Sequence, residues 1–195
     1  GVLLLWFGWF GFNGGSQLAL AGFENATAVA TIYINTNLAA CAGVMTCAVI
    51  TRLVNGKTDV VMMLNGALGG LVAITAEPLA PTPLMAIIIG AIGGIIVILG
   101  TQALNKLQID DVVGAIPVHL FAGLWGTLAV PLTNSGTSFG PQLLGTASIC
   151  AFVFVVSFIV WSIMKATIGI RISEEAEKEG TDIAETGVTA YAIRD

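Results

Sequence analysis

The sequence predicts an all-α integral membrane protein with six transmembrane helices. Three observations carry this. Of its 195 residues, 56% are hydrophobic and only 10% charged, too few charges to coat a soluble domain. Gly, Pro, Asn and charged residues divide the chain into six apolar segments, each spanning or nearly spanning a bilayer at 1.5 Å rise per residue. All seven Lys and Arg fall on one side of the membrane that this division implies.

The first segment, 1–21, is apolar from Gly1 onward and is closed by "GFENA". It has neither the charged leader nor the small-residue cleavage site of a signal peptide, so a truncated start is expected. Segment 27–51 ends at "RLVNGKTD", 60–76 at "EPLAPTP", 83–104 at "NKLQIDD", and 112–131 at "PLTNSGTSFGP". The last, 141–168, lies in a stretch with no charge from Phe139 to Met164. Connections this short make neighbouring helices antiparallel.

Arg52 and Lys57 lie in the second connection, Lys106 in the fourth, and Lys165, Arg171, Lys178 and Arg194 at or beyond the last helix end. The positive-inside rule then runs the first helix outward and leaves the C-terminus in the cytoplasm. The expected organisation is a helical bundle over 1–170 and an acidic cytoplasmic tail over 171–195. That tail holds seven acids against three bases, −4 of the net −5, and no basic patch suggests nucleic acid. Cys41, Cys47 and Cys150 are odd in number, lie in apolar segments and read as small packing residues. The pairs Gly11 and Gly15, Gly66 and Gly70, and Gly90 and Gly94 have the small-xxx-small spacing of close helix packing.

Within "VVGAIPVHLFAGLWGTLAV" lies His119, the single histidine of the chain. An ionisable group in a spanning helix is expensive and faces a partner or a cavity, which makes His119 a functional candidate; the plain alternative is a neutral imidazole bonded to a carbonyl. Ala115, Ala122, Gly123 and Gly126 share its face, a small-residue stripe that either admits another helix or borders a narrow passage. Pro117 has no N–H, frees the carbonyl of Val113 and should kink the helix beside the histidine. In the first segment, Leu5, Trp9, Phe12 and Ser16 form one stripe at i, i+4, i+7 and i+11. Aromatic faces attract cations and a hydroxyl accepts a bond from a donor-only guest; packing against lipid or core is the plain alternative. One histidine without an intramembrane carboxylate gives neither a metal set nor an acid/base pair, so no metal, no cofactor and no enzyme activity are expected.

Five blocks in series resemble the ammonium transporter family (Amt/Mep/Rh): "GWFGFNGGS", "NTNLAA", "NGALGGLVAIT", "IDDVVGAIPVHLFAGLWG" and "RISEEAEKEGTDIAETGVTAY". The resemblance implies an eleven-helix fold of two inverted five-helix repeats, of which this chain resembles helices six to eleven plus the cytoplasmic tail. It implies a hydrophobic pore for ammonium or ammonia, and possible methylammonium passage, in a homotrimer of the plasma or inner membrane. His119 then matches one member of a pore histidine pair, Phe12 a stacked phenylalanine above the pore, Trp9 a pore aromatic, and Ser16 the hydroxyl of an outer recruitment site. Leu5 joins them on the pore-facing stripe. The tail motif, with Gly180, Asp182 and Tyr191, implies regulation at the cytoplasmic face, with a P-II type protein as a candidate partner. The chain departs from the family pattern at Leu120, where glycine usually follows the histidine, at Gly114, at Pro117, and at "TGVTAY". A membrane-embedded ammonium sensor on the same fold is the alternative function.

Overall fold

Glycines, prolines and side-chain caps set where each helix starts and stops. The computed structural model describes residues 1–190 and, among them, contains helices and no strand. Helix α1 (Val2–Gly15) stops six residues before the expected end. Gly14 and Gly15 are followed by i→i+3 turns at Ser16 and Gln17, and Leu18 sits at a φ of 60°, which no helix accommodates. Helix α2 (Phe23–Asn55) is 33 residues long and ends on Gly56 in the left-handed conformation. Helix α3 (Val60–Thr75) is capped by Asp59, whose Oδ1 accepts from the Met62 N–H at 3.0 Å. Helix α4 (Pro83–Lys106) is capped by Thr82, with Pro83 at the first position, where its missing N–H costs nothing.

Helix α5 (Ile116–Leu132) begins four residues later than the sequence suggests. It opens with a π turn over Ile116–Phe121 and closes with a 3-10 turn over Val130–Leu132. Helix α6 (Phe139–Thr167) follows, then the short α7 (Glu174–Glu179) and a π turn over Asp182–Thr186. By length and composition α2, α4 and α6 can each cross a membrane; α1, α3 and α5 are shorter apolar helices.

Glycine decides the packing of the first unit, Gly1–Thr146. A Cβ on Gly43 would strike the Gly66 carbonyl, and one on Gly70 or Gly90 would strike the backbone of Ala39. Gly93 faces the Gly69 carbonyl and Gly94 that of Gly43. Backbone therefore meets backbone among α2, α3 and α4, which only missing side chains permit. The pairings Gly43–Gly66 and Ala39–Gly70 run α2 antiparallel to α3; Gly69–Gly93 does the same for α3 and α4. The pairs at 66/70 and 90/94 pack as expected, whereas nothing lies within 4 Å of a Cβ on Gly11 or Gly15. Two apolar clusters fill the remainder, one around Ile74 and Ile89, the other around Leu71, Val97 and Val118. Cys47 is buried and packs as anticipated; Cys41 is exposed.

A second unit begins at Ala147, inside α6. Helix α6 is apolar along its length and has no buried residue. An evenly apolar, uncovered helix needs hydrocarbon or another apolar surface as its solvent. On α1, Leu3, Leu4 and Phe7 are likewise more than 70% exposed.

Candidate functional site

The site starts with the entry into α5. Pro117 cannot bond the Val113 carbonyl, and that oxygen instead accepts from Nδ2 of Asn65 on α3 at 3.1 Å. The freed group is satisfied by a neighbouring helix. Gly114, next in the chain, has a φ of 76° and presses against the Asn65 amide, where a Cβ would come within 2.6 Å of Nδ2. Glycine at this position thus answers both a conformational and a steric demand. Asp111 completes the entry: its two carboxylate oxygens accept from the N–H groups of Ala115 and Ile116, each at 2.9 Å. These donors would otherwise be orphans of the helix start.

The π turn that follows carries His119. The extra residue per turn re-aims the side chains beyond it, as single-turn π bulges do. Behind the turn, a Cβ on Gly100 of α4 would meet Pro117 and Phe121, so α4 supports the bulge at close range. Of the small-residue stripe, one glycine admits another helix and one lines a groove. Gly126 lets α5 approach the backbone of Ala73 on α3, while Gly123 borders open space.

That space is a groove of about 350 Å³ lined by Trp9 and Phe12 of α1, Thr75 of α3, and His119, Gly123 and Thr127 of α5. Trp9, Phe12 and His119, far apart in sequence, thus share one wall. The Trp9 indole is held in place, since its Nε1–H donates to Thr75 Oγ1 at 2.8 Å, and the Thr75 hydroxyl donates in turn to the Leu71 carbonyl at 2.7 Å. The Trp9 and Phe12 rings lie 5.8 Å apart, tilted by 48°. Below them, Asn13 is fully buried and donates to Thr36 Oγ1 at 2.9 Å, pinning α1 to α2. Phe10 packs edge-on against Tyr33 across the same helix pair.

The other candidates sit elsewhere. Leu5 is 53% exposed and does not line the groove. Ser16 is exposed just past the end of α1, where its hydroxyl donates weakly to the Phe12 carbonyl at 3.4 Å. In the tail, Ser173 caps α7 and Arg171 pairs with Glu177 at 2.8 Å. Gly180 has a φ of 104° and lies against Asp182, while Tyr191 is outside the described residues. Asp182 Oδ2 accepts from the Ala190 N–H at 2.7 Å, and Thr186 donates to the Asp182 carbonyl.

The N–H groups of Ala190 and Ile183 hold the Asp182 carboxyl below the usual aspartate range. A depressed folded value means the clasp is complete above about pH 4, the ordinary aspartate pKa, and is lost as pH falls through the lower folded value. Protection of the Ala190 amide against hydrogen exchange, corrected for intrinsic rates, should follow that course. Asp182→Ala should abolish it at every pH. Protection in that variant would remove the carboxylate from the account.

Asn65, Thr75, Asp111 and Thr127 are site residues that the sequence reading did not single out. Asn65 alone gave a signal, a lone amide in the apolar run "VVMMLNGALGGLVAIT". The threonines gave none, because their hydroxyls usually bond their own helix.

Comparison with known proteins supplies the family. A family model described as Ammonium Transporter Family matches residues 1–191. Ammonium transporter Amt2 of Archaeoglobus fulgidus is 43% identical over 98% of this chain and 44% of its own length. A putative ammonium transporter of Synechocystis is 40% identical over 99% of this chain and 45% of its own. Among solved structures, the Sensor Amt Protein aligns at a TM-score of 0.87 with 32% identity, covering 94% of this chain and 47% of that one. Mep2 of Candida albicans aligns at 0.79 with 28% identity, covering 94% and 44%. The chain therefore spans about half the length of the relatives it matches. The named sequence relatives are transporters and not enzymes, and the apolar helices described above are those of a membrane protein. On the match of nearly its whole length, the chain belongs to the ammonium transporter family.

Proposed function

We propose that this chain forms one half of a pathway that carries ammonium or ammonia across the cell membrane. One observation carries the reading: Trp9 and Phe12 from α1 meet His119 from α5 around a single groove. Ammonium is the main species at neutral pH, and a charge in hydrocarbon costs several kcal/mol even after relaxation. A selective path must replace its water. The faces of Trp9 and Phe12 attract a cation, more strongly where water is excluded. Ser16 at the outer end of α1 supplies a hydroxyl for recruitment. The ion then loses a proton near that mouth, and His119 lines the narrow route for ammonia and relays the proton. Imidazole suits this, having one donor and one acceptor nitrogen in its neutral form.

In this reading the chain is the second repeat and final helix of the transporter, and a second histidine comes from the other repeat. The bundle over 1–170 sits in the plasma or inner membrane as part of a homotrimer, with the tail over 171–195 in the cytoplasm. The one-sided placement of the basic residues supports that orientation. The tail, clasped at Asp182, couples the subunits and offers a surface to a P-II type protein.

The test is uptake of ammonium and methylammonium by liposomes carrying the full-length transporter. His119→Leu should lose the wild-type selectivity for ammonium. Retained selectivity would remove the relay role, and an equal response to potassium in the wild type would undermine the ammonium reading itself. One observation favours a second reading, a membrane-embedded sensor on this fold: the structural neighbour at a TM-score of 0.87 is a Sensor Amt Protein. Binding that persists with no flux would select it.

A further inference from the structure

We propose that Thr127 is the hydroxyl that binds the guest inside the groove, a role that rests on the groove being the ammonium path. Two hydroxyls line that groove, Thr75 and Thr127. The one on Thr75 is occupied: it accepts from Trp9 and gives its hydrogen to the Leu71 carbonyl. Thr127 is different. Six helical threonines, Thr27, Thr31, Thr51, Thr75, Thr101 and Thr167, give their hydrogen to the carbonyl four residues back. Thr127 makes no such bond to Gly123 and has no hydrogen-bond partner among the described residues.

Its position suits the task. Thr127 lies eight residues beyond His119 on the same wall, about 12 Å along the helix axis, and its neighbour Gly126 meets Ala73, two residues before Thr75. A hydroxyl offers two lone pairs and one hydrogen. Ammonium, which can only donate, takes a lone pair; ammonia, once the proton has left, can accept the hydrogen. A single side chain therefore serves the guest on both sides of its deprotonation. Ser16 cannot do this from its place outside the groove, with its hydroxyl turned to the Phe12 carbonyl.

The test compares Thr127→Val, which keeps the shape and removes the oxygen, with Thr127→Ser, which keeps the hydroxyl. Both are measured in the full-length transporter. Two quantities are read: the concentration dependence of ammonium flux in liposomes, and ammonium binding followed by indole fluorescence, Trp9 standing in the groove. Thr127→Val should raise the half-saturating ammonium concentration about tenfold, the low end for losing a bond to a charged guest. Thr127→Ser should stay within about twofold of wild type on the same scale. Wild-type affinity in Thr127→Val overturns the proposal, and so does equal loss in both variants, which would mark the residue as packing. If the wild type carries no flux yet binds ammonium with the same order of variants, Thr127 stands and the transport reading falls. Absence of both flux and binding removes both.

Discussion

Gly90→Leu should destabilise the bundle by about 3 kcal/mol, near the upper end for overpacking a close-fitted interior. The reason is the identity of the obstructing atoms. A Cβ on Gly90 meets the carbonyl, carbonyl carbon and Cα of Ala39, none of which can swing aside like a side chain. Relief requires α2 and α4 to separate, and that would also open the contact of Gly94 with Gly43 and the bond from the Cys47 thiol to the Gly94 carbonyl. Thermal unfolding of the detergent-solubilised protein, read as loss of a monodisperse species, should show a lowered midpoint. Gly11→Ala is the control: with nothing within 4 Å of its Cβ, it should be neutral or stabilising by about 0.5 kcal/mol. Equal midpoints for Gly90→Leu and wild type would mean that the close crossing does not hold the helices together.

Removing the Asn65 amide should disturb His119 from about one and a half turns away. Asn65→Ala leaves the Val113 carbonyl without its donor, a loss of about 0.5–1.5 kcal/mol for a part-buried bond. It also removes the side chain against which Gly114 rests. The π turn then loses one of its two anchors, the other being the Asp111 carboxylate. In the full-length transporter a nitrogen-15 histidine label reports His119 once its resonances are assigned by their loss in His119→Gln. Asn65→Ala should shift its imidazole resonances, and Asn65→Asp, which turns an acceptor toward an acceptor, should shift them further. Helix content by circular dichroism should change little in either. An unmoved histidine signal would show that Gly100 and Phe121 hold the turn without help from α3.

The six apolar segments were legible as helices because hydropathy, prolines and charges mark helices and connections directly, though only α2, α4 and α6 are long enough to cross a membrane. The start of α5 was not. A run such as "VVGAIPVH" reads as continuous helix, and only an outside donor, Asn65, and a positive φ at Gly114 reveal the delayed entry. The end of α1 was misplaced for a related reason, since "QLAL" is apolar but follows two glycines and a turn. For the groove, helical periodicity put Trp9 and Phe12 on one face and made His119 a candidate. Periodicity cannot say that α1 and α5 meet across α3. Nor could it separate Phe12, which reaches the groove, from Leu5 and Ser16, which share its stripe and stop short. Hydroxyl accounting was invisible for the same reason, as Thr75 and Thr127 differ only in where their hydrogens go.

The direction of the three groove helices has an electrostatic consequence. Trp9 bonds Thr75 while Val2 and Trp6 pack against the cluster of Leu68 and Leu71, which sets α1 parallel to α3, and the contacts of Asn65 with Val113 and of Ala73 with Gly126 set α5 parallel to both. All three chains therefore finish at the same end of the groove, where Phe12, Thr75 and Thr127 stand. Each helix terminus leaves carbonyl oxygens pointing outward and carries about half a negative elementary charge. Glu77 adds its carboxylate two residues beyond α3, held by Asn134 Nδ2 at 2.7 Å. That end of the groove is therefore electronegative, a field that favours a cation over an anion.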